Sequence, residues 1–149
     1  MVCALQDVPE VASGGYVTTK VIRLRDGRRL AHSEVGDLDG LPVFHQHGMP
    51  GSRLEHEAEP DLYRSLGVRV ITPDRPGYGL SDPHLHRPIL DWPSDIAELA
   101  DSLGIRRFRI TGLSGGGKLE PGAAFGQPGS GYFRSAAPQG PRPWAHGPP

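Results

Sequence analysis

The sequence predicts an α/β protein in which an antiparallel hairpin leads into a mostly parallel sheet with flanking helices. Three observations support this prediction. Short runs rich in β-branched residues alternate with segments of helical periodicity between residues 17 and 118, an order that is typical of parallel sheets. The chain has 149 residues, the usual length of one domain. Its 21 glycines and 16 prolines are partly concentrated at the C-terminus, which predicts a patterned domain followed by a tail.

The first predicted element is a β-hairpin. Residues 1–16 carry no strong periodicity, and we expect a disordered leader there. The run Val17–Leu24 is rich in β-branched residues, Asp26-Gly27 supplies turn chemistry, and Arg29–Val35 is a second plausible strand. The polar segment Gly36–Gly40 then predicts a loop.

The next unit is a strand, a glycine-containing loop and a helix. Pro42–Gln46 is a short apolar run that ends in the loop His47–Ser52. Apolar residues four apart then predict a helix that ends at Gly67, within which Pro60 marks either a kink or the true start. These residues are Leu54, Ala58, Leu62 and Leu66.

A second strand–helix–strand unit completes the patterned part of the chain. Val68–Thr72 is a strand, and Pro73–Asp82 is a loop. Asp91 is a candidate cap for a helix that has Pro93 in its first turn and ends at Gly104. Its predicted buried stripe is Ile96, Leu99, Ala100 and Leu103. The last convincing strand is Arg107–Thr111.

Beyond Lys118 the sequence changes character. Glycine or proline occupies thirteen of the positions from Leu119 to Pro149, and no apolar period survives that density of helix and strand breakers. We therefore divide the chain into a leader (1–16), one domain (17–118) and a disordered tail (119–149).

Composition excludes several classes of function. A formal net charge of −1 gives no electrostatic basis for binding nucleic acid or an anionic membrane surface. The single cysteine, Cys3, excludes an intrachain disulfide and fits a reducing compartment. Met1–Glu10 lacks the features of a secretory signal, and no apolar run has the length of a membrane span. We expect a cytoplasmic protein without a nucleic-acid or membrane partner.

The strongest local motif follows the last strand and reads Gly112-Leu113-Ser114-Gly115-Gly116. A serine that attacks a carbonyl must project clear of the backbone, and a sharp turn between a strand and a helix achieves this. The glycines two residues before and two after the serine let neighbouring backbone pass close by. Ser114 is the candidate nucleophile, and the backbone N–H of Gly115 is a candidate donor to the developing oxyanion. Alone, the motif is a weak signal in a glycine-rich protein.

A second oxyanion donor in this mechanism comes from the loop after the third strand. That loop is His47-Gly48-Met49-Pro50-Gly51, and its natural donor is the Met49 N–H. We expect His47 to brace the loop and assign it no proton-transfer role. The remaining histidines show no metal-ligand spacing, and we expect neither a metal nor a cofactor.

Together these segments resemble the α/β-hydrolase superfamily. His47-Gly48-Met49-Pro50-Gly51, the stretch from Asp74-Arg75-Pro76-Gly77 to Tyr78-Gly79-Leu80-Ser81, and the serine motif at 112–117 occur in that family's order and spacing. The match is closest to bacterial serine hydrolases with a His-Gly-x-Pro-Gly loop, and it covers roughly residues 17–117.

The resemblance implies an α/β-hydrolase core with Ser114 at the carboxyl edge of the sheet. It further implies hydrolysis of an ester, amide or related bond of a small-molecule substrate through an acyl-serine. The loop at Asp74-Arg75 is expected to shape the rim and support the sheet. A serine at position 114 argues against the relatives that use an aspartate nucleophile, namely haloalkane dehalogenases and epoxide hydrolases.

The family's acid and base are expected on later strands, in the order serine, acid, histidine. Downstream of Ser114 the acid is Glu120 and the histidine is His146. Glu120 is too close to the serine, and His146 lies in the predicted tail. We therefore expect an incomplete, inactive core, from a truncated gene or a frame change near Gly117–Lys118. Its last strand would be an open edge prone to self-association.

Two other functions fit parts of the sequence. The segment Gly112–Lys118 nearly matches the phosphate-binding pattern G-x-x-x-x-G-K-[ST]. However, Leu119 replaces the hydroxyl residue that binds Mg²⁺, and Pro121-Gly122 stops the required helix. A non-catalytic fragment or pseudoenzyme that binds a partner through the open sheet edge is the other alternative.

Overall fold

The computed structural model describes residues 18–56, 59–85, 91–119 and 131–134. The described residues form a six-stranded mixed sheet with helices, which confirms the predicted α/β class. The predicted leader and most of the predicted tail lie outside the described residues. The strands in chain order are β1 (Thr18–Arg23), β2 (Arg29–Gly36), β3 (Leu41–Gln46), β4 (Val68–Pro73), β5 (Arg107–Gly112) and β6 (Gly131–Arg134). The helices are α1 (Pro60–Ser65) and α2 (Trp92–Ser102), with 3₁₀ helices at Arg53–His56 and Ser114–Leu119.

The sheet has the spatial order β1-β2-β4-β3-β5-β6. Strands β1 and β2 form the predicted antiparallel hairpin, with Gly27 at a φ of 91° in its turn. Strand β2 also runs antiparallel to β4, whereas β3 lies parallel to both β4 and β5. The carboxyl ends of β3 and β5 therefore meet at the same edge of the sheet, as the sequence predicted.

Helix α2 closes one face of the sheet. Its predicted stripe is buried at Ile96, Leu99 and Ala100, and Leu103 packs partly against the same core. Asp91 occupies the N-cap position, but its side chain makes no cap hydrogen bond, so the predicted capping role is wrong. The core that α2 covers consists of Ile22, Leu30, Phe44, Ile71, Phe108 and Ile110. No helix within the described ranges is long and apolar enough to cross a membrane.

The helix predicted across Leu54–Leu66 differs from the structure. Pro60 begins α1 and does not kink a longer helix, while Arg53–His56 forms a separate 3₁₀ turn. The expected apolar stripe is not buried, since the exposed fractions of Leu54, Leu62 and Leu66 are 42%, 49% and 63%. The physical reason for the break is Pro60, which lacks the N–H that a helix interior requires and therefore occurs as the first residue of α1. Ala58, the fourth residue of the expected stripe, lies outside the described residues.

A short strand lies within the predicted tail, at residues 131–134. These residues form β6, which pairs antiparallel with β5 and places Gly131 opposite Ile110. The expected open edge of β5 consequently carries a strand along Arg107–Ile110. Unpaired backbone groups on an edge strand attract a further strand. Self-association through the edge stays a prediction.

A charged cluster that the sequence did not reveal lies on β2 and its neighbours. The Glu34 side chain is fully buried, and its carboxylate accepts hydrogen bonds from Lys20 Nζ at 3.0 Å and from Arg69 Nε at 2.6 Å. His32 Nε2 lies 3.4 Å from the same carboxylate. Burial raises the pKa of Glu34, but the contact with His32 and the charges of Arg69 and Lys20 together lower it to about 2.

Replacing Glu34 with glutamine should lower the free energy of unfolding by about 2 kcal/mol near neutral pH, because Arg69 and Lys20 lose their counter-charge. The effect stays below the roughly 3–5 kcal/mol of a fully buried pair, since both cations keep some contact with solvent. A carboxylate with a lowered folded pKa stabilises the fold above its ordinary value of 4.5, and this contribution is lost as the pH falls towards 2. Urea unfolding at neutral pH and at about pH 3 measures both effects.

The matched control is Asp61→Asn, which removes an exposed carboxylate paired with Arg64. Its stability should stay within about 0.5 kcal/mol of the wild type. A Glu34→Gln variant as stable as this control near neutral pH would contradict a stabilising role for the cluster.

Candidate active site

Strand β5 ends in a sharp turn that presents Ser114 to solvent. Strand β5 ends at Gly112, and Ser114 opens a 3₁₀ helix only two residues later. Ser114 has a φ of 50°, and within the described ranges it is the one non-glycine residue with a positive φ. Its side chain is exposed. A residue in this region carries a strain of about 1–3 kcal/mol, which persists where the surrounding structure imposes it.

Gly116 allows the turn to pack against the end of β3. A Cβ atom at this position would overlap the carbonyl oxygen of Gln46 and would lie 2.8 Å from the carbonyl oxygen of His47. These neighbours are backbone atoms and cannot rotate away. The Leu113 N–H also donates to the Gln46 carbonyl at 3.1 Å. The spacing of glycine two residues after the serine therefore has a direct steric cause.

The loop after β3, His47–Ser52, lies beside the turn. A Cβ built on Gly115 would stand 3.4 Å from Cγ of Met49, so the two residues predicted to supply oxyanion donors lie on adjacent segments. The Met49 side chain itself is 60% exposed. The structure thus brings Ser114, Gly115 and Met49 to one end of the sheet.

The buried side chains of His47 and Arg75 fix the orientation of this loop. His47 is fully buried, its Nδ1 lies 2.9 Å from the Gly48 carbonyl oxygen, and its Nε2 accepts the Arg75 N–H at 3.3 Å. A neutral ring with its proton on Nδ1 satisfies both contacts. Burial lowers the pKa of His47 and favours this neutral form. The geometry agrees with a bracing role for His47.

The same contacts determine where the Met49 N–H points. Arg75 Nη2 donates to the Gly48 carbonyl at 2.6 Å. The peptide bond between Gly48 and Met49 is trans. In a trans peptide the C=O and the N–H point in opposite directions. A carbonyl held by Arg75 and His47 therefore directs the Met49 N–H away from them.

The loop that follows β4 is anchored to neighbouring elements by the side chains of Asp74 and Ser81. Asp74 is fully buried and accepts hydrogen bonds from Arg53 Nη1 at 2.9 Å and from the Leu80 N–H at 3.0 Å. Ser81 Oγ donates to the Asp74 carbonyl at 2.8 Å and accepts the Ala31 N–H at 3.0 Å. These contacts fasten the loop to β2 and to the first 3₁₀ helix, in line with the supporting role predicted for it.

Glu55 is a site residue that sequence reasoning missed. Its carboxylate accepts the Gly48 N–H at 3.1 Å and lies 2.7 Å from His45 Nε2. No motif or spacing rule points to this residue, because its partners are a backbone amide and a strand histidine. The acidic residue directly after Leu54 was a possible signal, but the apolar spacing suggested a longer helix there.

Within the described ranges, His45 at the end of β3 and His47 in the loop that follows it are the two histidines beside the serine turn. Both ring nitrogens of His45 and of His47 are already engaged. The sequence-derived candidates Glu120 and His146 lie outside the described residues. In the same ranges, no group of three His, Cys, Asp or Glu side chains is close enough to hold a metal ion.

Replacing Ser114 with glycine should raise the free energy of unfolding by roughly 0.5–1 kcal/mol. Glycine avoids the roughly 1–2 kcal/mol penalty of an L side chain at positive φ and loses part of this gain to chain entropy. Ser114→Ala is the matched control, because it removes the hydroxyl and keeps the Cβ. Thermal unfolding of the three proteins measures the effect. Equal midpoints for the glycine and alanine variants would show that this turn stores no strain.

Comparison with known proteins places this geometry in a family. The model of the alpha/beta hydrolase fold family matches residues 42–119. The chain is 34% identical over 117 residues to a non-heme chloroperoxidase of Streptomyces lividans. This match covers 77% of this chain and 41% of that protein. It is 32% identical over 104 residues to a bifunctional esterase/perhydrolase of Acinetobacter calcoaceticus, which covers 69% of this chain and 36% of the relative. A proline iminopeptidase of Xylella fastidiosa is 32% identical over 106 residues, and the match covers 66% and 32% of the two chains.

Among solved structures, an epoxide hydrolase from Vigna radiata superimposes with a TM-score of 0.62 at 23% identity, over 72% of this chain and 34% of that one. At this identity the likeness shows the fold alone. It leaves open the prediction that Ser114 separates this chain from relatives with an aspartate nucleophile. The chain spans about a third to two fifths of the length of these proteins. On the match to residues 42–119, the chain belongs to the alpha/beta hydrolase fold family.

Proposed function

We propose that Ser114 is the nucleophile of a serine hydrolase site that cleaves an ester, amide or related bond of a small-molecule substrate. The observation that carries the proposal is the exposed serine at positive φ on a strand-to-helix turn, next to the loop of Met49. Strained backbone concentrates at functional sites, and this turn has the form that a nucleophilic serine requires. Relatives named as an esterase/perhydrolase and an iminopeptidase fit an ester or amide substrate.

The proposed reaction has two halves. Ser114 Oγ attacks the carbonyl carbon while a base takes its proton, and the carbonyl electrons move to the oxygen. The backbone N–H groups of Met49 and Gly115 donate to that oxyanion. Collapse of the tetrahedral intermediate expels the protonated leaving group and leaves an acyl-serine, which water hydrolyses by the reverse steps. Each oxyanion donor of this kind contributes roughly 10²–10³-fold to turnover.

The pre-set orientation of the loop supports Met49 as one of these donors. Because Arg75 and His47 hold the Gly48 carbonyl, the adjoining N–H needs little reorganisation when charge develops. A neutral His47 also avoids a second positive charge next to the Arg75 guanidinium.

The base is the weak point of the site. A serine hydroxyl without a base is a poor nucleophile, and His45 and His47 are committed to other contacts. In a comparable triad the loss of the base lowers turnover on the order of 10⁶-fold. We therefore propose that this chain by itself is close to inactive in turnover, while its serine remains chemically addressable. A non-catalytic binding role is the alternative.

A fluorophosphonate probe should label wild-type protein slowly at Ser114 and should not label Ser114→Ala. Ser65→Ala, which removes an exposed hydroxyl from α1, is the matched control and should label like the wild type. Hydrolysis of p-nitrophenyl acetate should be weak and should fall to the background rate in Ser114→Ala. The readouts are mass spectrometry of the labelled peptide and initial rates of hydrolysis.

Two outcomes would count against the proposal. Equal labelling of Ser114→Ala and wild type would place the reactive group elsewhere. A folded wild-type protein that is not labelled at all would favour the non-catalytic reading.

A further inference from the structure

A line of side-chain contacts joins the serine turn to the loop of Met49. Thr111 Oγ1 lies 3.0 Å from His45 Nδ1, and His45 Nε2 lies 2.7 Å from Glu55 Oε2. The Glu55 carboxylate in turn accepts the Gly48 N–H, at 3.1 Å to one oxygen and 3.3 Å to the other. We refer to Thr111, His45 and Glu55 as the polar bridge.

The two ends of the polar bridge lie where the two proposed oxyanion donors begin. Thr111 is on β5, three residues before Ser114, and Gly48 directly precedes Met49. His45 and Thr111 are also register partners in the parallel pairing of β3 with β5. The polar bridge therefore links the strand that carries one donor to the loop that carries the other.

The surroundings of the bridge make these contacts effective. The exposed fractions of the His45 and Glu55 side chains are only 10% and 19%. Hydrogen bonds to a carboxylate are short and strong, and they gain strength where water is largely excluded. Both ring nitrogens of His45 face bridge partners, so its position suits a structural link and not a proton transfer with Ser114.

Gly48 needs such support because it has no side chain to limit its backbone. Its C=O is held by Arg75 and by His47 on one side. Its N–H is held by Glu55 on the other. Glycine otherwise samples a wide range of φ and ψ, and a small rotation at this residue would turn the Met49 N–H away from the reacting oxygen.

We propose that Glu55, held in place by His45 and Thr111, is a positioning residue that sets the Met49 N–H relative to the Gly115 N–H. This inference rests on the proposed function of Ser114. Glu55 contacts neither substrate nor the reacting atoms, and it acts through the Gly48 amide. Glutamine in its place carries no negative charge and only one acceptor oxygen, so it weakens the contacts with Gly48 and His45.

The test uses Glu55→Gln, with Glu59→Gln as the same chemical change at an exposed glutamate. The maximal rate of fluorophosphonate labelling should fall on the order of 10-fold in Glu55→Gln, less than the roughly 10²–10³-fold effect of a deleted donor. The probe concentration for half-maximal rate should not change, because the hole is engaged only as charge develops. Glu59→Gln should match the wild type in the maximal labelling rate and in the probe concentration for half-maximal rate.

A second pair of variants tests the far end of the bridge. Thr111→Val keeps the size of the side chain and removes the hydroxyl that faces His45, so it should slow labelling in the same way. Thr111→Ser restores a hydroxyl and should rescue the rate. Equal rates for the valine and serine variants would remove Thr111 from the bridge.

Hydrogen exchange at the Gly48 amide gives a readout that does not depend on Ser114 chemistry. Exchange should be faster in Glu55→Gln on the order of 10-fold, while core amides such as that of Ile110 exchange as in the wild type. Unchanged exchange and labelling in Glu55→Gln would overturn the inference. If the wild type shows no labelling at Ser114, the proposed function fails, and exchange at Gly48 still decides whether the bridge holds this loop.

Discussion

The contact between the end of β3 and the turn after β5 is the constraint on which the site depends. Gln46 is fully buried, its carbonyl accepts the Leu113 N–H, and the absent side chain of Gly116 leaves room for it. Its side-chain oxygen accepts the indole N–H of Trp92 at 2.6 Å, which ties the start of α2 to the same point. One residue thus couples the serine turn, the sheet edge and the covering helix. The positive φ of Ser114 lies between these two contacts, where surrounding structure can hold a strained residue in place.

Polar contacts fix the orientation of the loop of Met49, which lies beside the serine turn. The loop of Met49 is held on its carbonyl side by a neutral histidine and a guanidinium, and on its amide side by a carboxylate. The loop after β4 is held in the same manner around Asp74. Such networks are costly to leave half-satisfied and rigid when complete. Much of the buried polarity of this small core therefore serves to orient backbone N–H groups at one end of the sheet.

The sequence predicted the parts of the fold that follow from local rules. The hairpin at Asp26-Gly27, the stripe on α2 and the glycine pattern around Ser114 each reflect a short-range backbone or periodicity constraint. It failed where a proline or a tertiary contact overrides the local pattern. The leucines near α1 have helical spacing, yet Pro60 divides the segment and the leucines remain exposed. Glu34 was missed because Arg69 lies 35 residues away, and Glu55 was missed because its partners are a backbone amide and a strand histidine.

The parallel pairing of β3 with β5 has a consequence for how the site comes into being. Its cross-strand link joins residues 66 positions apart, and parallel strands cannot be connected by a tight turn. Forming this pair closes a long loop, which is an entropically demanding step that topology places late in folding. The hairpin can form early from local sequence, whereas the turn at Ser114 packs against the end of β3 and is completed only when this pair forms. The close approach of Gly115 to Met49 therefore belongs to a late stage of folding, because it requires the completed sheet.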